Sequence, residues 1–152
     1  MKHIVTVLFV LSAGPLAAGD VVQFPAAQLK GLTRSLAAKM SPQKLATEQL
    51  GKFRNHSLMA AHREASGESE LHETQADVFI VQSGEATLHT GGEVAGGKTT
   101  APGEIRGTSI KGGQKMKLGP GDVVAIPAKT PHQVLVEPGK HLTYLIVKVD
   151  TP

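Results

Sequence analysis

The chain of 152 residues has no cysteine and no tryptophan, and aromatic residues make up only 3% of it. Without thiols there can be no disulfide, no thiolate nucleophile and no thiolate-bound metal. Any metal must be held by nitrogen and oxygen. So few aromatic rings leave no platform for stacking bases, and the formal charge of +3 is a small excess scattered along the chain. Nucleic acid is therefore not an expected partner, and the charge reads as a contribution to solubility. Long hydrophobic runs are missing too. No stretch reaches the roughly 20 apolar residues that a membrane-spanning helix needs.

Hydrophobic residues at 40% and charged residues at 19% are those of a globular chain, and the length fits one folded domain. With few aromatics, the core must come from Val, Leu, Ile, Met and Ala. The 17 glycines and 9 prolines supply the turns of an all-β domain.

The N-terminus has its own pattern. Met1-Lys2-His3 is a short basic start, Ile4 to Leu11 is mostly apolar, and Ser12 to Asp20 is small and turn-prone. This is the layout of a secretory signal peptide over residues 1–19, cleaved after Ala18 or Gly19. The expected product is exported, periplasmic or secreted, with no stable membrane insertion once the leader is gone. Lys2 is the only charged residue removed, which takes the formal charge from +3 to +2.

Residues 20–52 read as a helical extension. Leu29, Leu32, Leu36 and Met40 form one apolar stripe, with Lys30, Arg34 and Lys39 off it. Ser41-Pro42 ends this helix and offers an N-cap and first-turn proline for a second one, carrying Leu45, Ala46 and Leu50 and stopped by Gly51. The stripe is expected to pack on the rest of the domain or against a second subunit.

From Phe53 to the end, residues 53–152, the pattern is extended. Strands are expected at 57–62, 77–83, 86–90, 123–126, 133–136 and 142–149, with a further short one within 104–110. Gly and Pro break them, and no helix intervenes, so a β-sandwich or barrel is expected.

Two segments within that region carry chemistry. The first is Glu70-Leu71-His72, followed by Asp77 and Gly84; the second runs from Gly121 through Pro127 to His132. Glu70 and His72 are two apart and share one face of a strand. A turn at Glu73-Thr74-Gln75 would reset the phase and aim Asp77, Phe79 and Val81 inward. Imidazoles and carboxylates suit Zn, Mn, Fe(II), Ni or Cu. Tyr144, the only tyrosine, could donate a hydrogen bond to a substrate or fill the core. His62 could line the same cavity. Gln82 and Gln133 are expected to face outward. Arg106 could reach over the pocket mouth and bind a carboxylate, with a surface salt bridge as the expected role.

At these residues the chain resembles the cupin superfamily. That family's first motif is Gly, five residues, His-x-His, three or four residues, Glu, six residues, Gly; here His72, Asp77 and Gly84 take the second His, the Glu and the final Gly. Its second motif is Gly, five residues, Pro-x-Gly, two residues, His, three residues, Asn; here Gly121, Pro127 and His132 match. Glu64 stands for the opening Gly, Glu70 for the first His, Lys129 for the second motif's Gly and Val136 for its Asn.

The resemblance covers roughly residues 57–149. It implies an all-β, cupin-type double-stranded β-helix (jelly-roll barrel) holding one divalent metal through His72, Asp77 and His132. Glu70 is an added ligand, a partner that orients an imidazole, or a general base, and with it the site favours Mn, Fe(II) or Zn. The candidate catalytic groups are Glu70 and Tyr144. The expected function is a metal-dependent enzyme of oxygenase or isomerase type acting on a small polar molecule. The alternative is a non-catalytic cupin that binds a sugar or organic acid. The expected partner is a small-molecule ligand, and the resemblance also raises a homodimer.

Overall fold

The structure is a computed structural model that describes residues 21–152, so the expected leader at 1–19 lies outside the described residues. One helix, α1 (Ala26–Ala37), is followed by β1 (Leu45–Lys52), β2 (His56–Arg63), β3 (Ser69–His72), β4 (Gln75–Gly84) and β5 (Ala86–Thr90). Then come β6 (Glu93–Ala95), β7 (Lys98–Ala101), β8 (Glu104–Gly107), β9 (Ser109–Lys111) and β10 (Gln114–Leu118). The chain ends with β11 (Val123–Ile126), β12 (His132–Leu135) and β13 (Leu142–Asp150).

Two antiparallel sheets face each other. One has the order β1-β2-β13-β4-β11, the other β10-β5-β12-β3-β8-β7, and β6 pairs with β9 as a small third sheet. Alternation along each strand selects what goes between the sheets. On β4, Asp77, Phe79 and Val81 are buried while Val78 and Ile80 are only half-buried. Together with Leu88, Ile126, Val134, Leu142, Tyr144 and Ile146 the two hydrophobic residues form the barrel core. Gly84 sets the β4–β5 corner at φ +80°, where a side chain would run into the carbonyl of His141.

A second apolar cluster lies outside the barrel. Leu32 and Leu36 of α1 pack on Ala46 of β1 and Ala60 of β2, with Leu29, Met40, Leu50 and Leu145 around them. Thr33 adds polar contacts, its hydroxyl donating to Thr143 at 3.0 Å and lying 2.6 Å from the Ser83 hydroxyl. The stripe is thus covered by the chain's own sheet.

The second helix expected after Ser41-Pro42 is instead a turn and the edge strand β1. Lys44 takes a left-handed φ of 54°, and the Ser41 hydroxyl accepts a bond from the Leu45 amide rather than capping a helix. A ten-residue helix is marginal alone. Pairing with β2 from Leu45↔Arg63 to Lys52↔Ser57 satisfies the backbone and puts Ala46 under α1. The stretch expected as one strand within 104–110 is divided between β8 and β9, which belong to different sheets.

Candidate metal centre

Three backbone arrangements build one site at the end of the barrel. Glu70 and His72 project from the same face of β3. Antiparallel register sets His132, the first residue of β12, opposite Glu70. β3 stops at His72 and β4 begins at Gln75, and this break turns Asp77 inward, paired with Ile126 across β11. The loop 127–131 is tied down by the Lys129 amide, which donates to the His72 carbonyl at 2.7 Å. Lys129 reaches that position at φ 63°, the left-handed conformation that glycine adopts most easily. It is the residue that stands for the second motif's Gly.

Both imidazoles are oriented the same way. Nδ1 of His72 lies 2.8 Å from each carboxylate oxygen of Glu104, and Nδ1 of His132 lies 3.0 Å from the Thr130 carbonyl. These acceptors assign the ring proton to Nδ1 in each case and leave the Nε2 lone pairs pointing into the site. Nε2 of His132 is buried without a hydrogen-bond partner.

Among the described residues, one cluster brings ligand atoms within 4.8 Å of one another: Glu70, His72 and His132. Asp77 stands outside that trio, with Oδ2 3.3 Å from His72 Nε2 and 3.6 Å from His132 Nε2. An orphaned imidazole nitrogen facing a second imidazole and a carboxylate fits a divalent ion with nitrogen and oxygen ligands.

Glu70 faces two ways. Oε2 lies 3.5 Å from His72 Nε2 and 3.8 Å from His132 Nε2. Oε1 pairs with Arg106, its register partner on β8, and lies 3.8 Å from Arg63. Burial pushes the Glu70 pKa up, but His72 beside it and the charges of Arg106, His132 and Arg63 outweigh it and bring it down to about 2. Asp77 resists burial likewise and is held well below the usual carboxylate range by His132, His72 and Lys148. Both carboxylates are held ionised by the cations around them.

Several residues depart from the expectations. Arg106 takes the pocket-side role rather than the surface salt bridge, pairing with Glu70 at the cavity. His62 does not line the cavity: on β2, Ala61 and Arg63 face in, and His62 faces α1, with Nδ1 2.8 Å from the Thr143 hydroxyl. Gln133, expected outside, is buried, and its amide donates to the Gly67 and Thr108 carbonyls. Both faces of β12 are covered. Tyr144 takes the core role of the two expected for it: it is fully buried, edge-on to Phe79 at 5.0 Å between ring centroids, and its hydroxyl accepts a bond from Arg63 Nε at 3.0 Å. Burial lifts its pKa above the ordinary value.

Sequence reasoning missed Glu104, Arg63 and Lys148. Lys148 was findable: it follows Leu142, Tyr144 and Ile146 at the same alternation on β13. Its Nζ lies 3.0 Å from His72 Nε2 and 3.0 Å from Asp77 Oδ1. Beside the cluster is a cavity of about 160 Å3, lined by Met59, Phe79, Val134 and Ile146 as well as by the charged groups.

No protein-family model matches the chain, and no curated protein matches it. Solved structures do. TT1209 from Thermus thermophilus is 20% identical with a TM-score of 0.56, over 78% of this chain and 94% of that one. An uncharacterised conserved protein with a double-stranded β-helix domain from Klebsiella pneumoniae is 16% identical with a TM-score of 0.54, over 72% and 80%. DMSP lyase DddQ from Ruegeria pomeroyi is 18% identical with a TM-score of 0.50, over 70% of this chain and 47% of that one. The fold is a cupin-type double-stranded β-helix with one N-terminal helix.

Proposed function

We propose that this cupin-type barrel is an exported, metal-dependent enzyme acting on a small polar molecule, of oxygenase or isomerase type. The observation that carries the reading is the pair of inward Nε2 lone pairs, one of them orphaned, facing the Glu70 carboxylate. Glu70, His72 and His132 would hold one divalent ion, Mn, Fe(II) or Zn, with Asp77 beside them. When bound, such an ion supplies Lewis acidity to a chelating oxygen ligand.

The chain's own groups do the rest. Arg106 and Arg63 hold Oε1 of Glu70 and so keep Oε2 turned to the histidines. Glu104 and the Thr130 carbonyl fix the imidazole tautomers. Tyr144 positions Arg63 through its hydroxyl. At about 160 Å3 the space is below the roughly 300 Å3 of a drug-sized ligand site, which limits the substrate to a few heavy atoms. Arg63, Arg106 and Lys148 outnumber Glu70 and Asp77 around it, so an anionic molecule such as a small organic acid is favoured.

Export rests on the leader-like residues 1–19, and N-terminal sequencing of the mature protein tests it. The test of the enzyme reading is turnover: chelator-treated protein is reloaded with Fe(II), Mn or Zn and assayed with small organic acids for oxygen uptake and product. Metal-dependent turnover supports it. Tight, metal-independent binding without turnover supports a second reading, a non-catalytic cupin that captures an organic acid or sugar. That alternative is favoured by one observation: Lys148 already supplies a positive charge to Asp77 and His72.

A further inference from the structure

Lys148 and Asp77 are register partners on β13 and β4, and the Lys148 ammonium lies 3.0 and 3.2 Å from the two Asp77 oxygens. A cross-strand ion pair alone would explain that contact. It does not explain the third one. Nζ also lies 3.0 Å from Nε2 of His72, the nitrogen whose partner-bound Nδ1 leaves only a lone pair to offer. An imidazole nitrogen has a single lone pair in the ring plane, so His72 cannot accept from Lys148 and ligate a metal at the same time.

We infer that Lys148 is a tethered cation that occupies the metal's place against His72 and Asp77, and that its withdrawal accompanies metal binding and sets the site's affinity. The inference rests on the metal reading above. The ammonium is held on a flexible stem of four methylenes at 19% exposure, so it has room to turn toward the cavity once displaced. Where it remains close, it repels the incoming ion at a few ångströms in a weakly screened setting. In either case the lysine lowers affinity. It also gives the buried Asp77 carboxylate a countercharge when no metal is bound.

The experiment is a titration of chelator-treated full-length mature protein with Zn and with Mn, by competition with a chromogenic chelator. Wild type is compared with Lys148→Met and Lys148→Arg, and thermal unfolding is followed with and without metal. Lys148→Met, which keeps the stem and loses the charge, is expected to bind at least tenfold more tightly and to gain more thermal stability from metal than wild type does. Lys148→Arg, which keeps the charge, is expected to bind no more tightly than wild type.

Equal or weaker binding by Lys148→Met overturns the inference and leaves the metal reading in place. Binding by Lys148→Met alone refutes a native metal site and overturns the inference with it. No binding by any of the three overturns both. Should Lys148→Met be unfolded without metal, recovery of the fold on adding Zn supports the inference, and failure to recover overturns it.

Discussion

Glu104 sits directly opposite His72 in the β3–β8 register, and both of its carboxylate oxygens lie 2.8 Å from Nδ1 of that imidazole. One residue on a neighbouring strand thereby decides which nitrogen of His72 faces the site. Glu104→Ala should leave the barrel folded, by circular dichroism, and weaken metal binding roughly 10- to 100-fold. Glu104→Gln keeps an acceptor and should lose less. Unchanged affinity in Glu104→Ala would mean that His72 needs no orienting partner.

Lys129 carries a left-handed backbone at φ 63° in the loop that hydrogen-bonds the His72 carbonyl. Lys129→Gly should relieve that strain. A gain of about 0.5–1 kcal/mol is expected, a rise of roughly 2–4 °C in Tm, with the metal site intact. A fall in Tm would show that the lysine side chain contributes more than its backbone costs.

Leu36 is completely buried between α1 and the outer face of the sheet. Leu36→Ala should cost about 2–4 kcal/mol by chemical denaturation while leaving metal affinity unchanged, because the helix cluster and the barrel core are separate. Loss of metal affinity in a still-folded variant would tie the helix to the site.

The metal-free protein should lose stability in acid. The pKa of Glu70 falls from 4.5 to about 2 on folding, so its contribution is present above pH 4.5 and is lost as pH drops toward 2. Thermal unfolding in chelator across pH 2–7 reads that limb. Glu70→Gln should make it shallower, with the share of Asp77 remaining. An acid limb unchanged by Glu70→Gln would contradict the account of Glu70.

The barrel was legible because its strands are punctuated by Gly and Pro and alternate cleanly. β5 spans Ala86–Thr90 as read from sequence, and β11 spans Val123–Ile126. Asp77 could be aimed inward because the Glu73-Thr74-Gln75 break is local. Residues 41–50 misled because Leu45, Ala46 and Leu50 serve either period, and only pairing with β2 decides between them. Glu104 and Arg106 were hidden for another reason. They reach Glu70 and His72 through the pairing of β3 with β8, across more than thirty residues of glycine-rich chain, and no local pattern encodes that register. Lys148 was missed because a lysine near the end of a strand normally points to water.

The most direct test of the metal centre is elemental analysis of the protein purified without a histidine tag, beside a His72→Ala/His132→Ala variant. About one equivalent of Fe, Mn or Zn in the parent and none in the folded variant is the expected result. The same trace metal content in both would contradict the centre and leave a barrel that binds its ligand through Arg63, Arg106 and Lys148 alone.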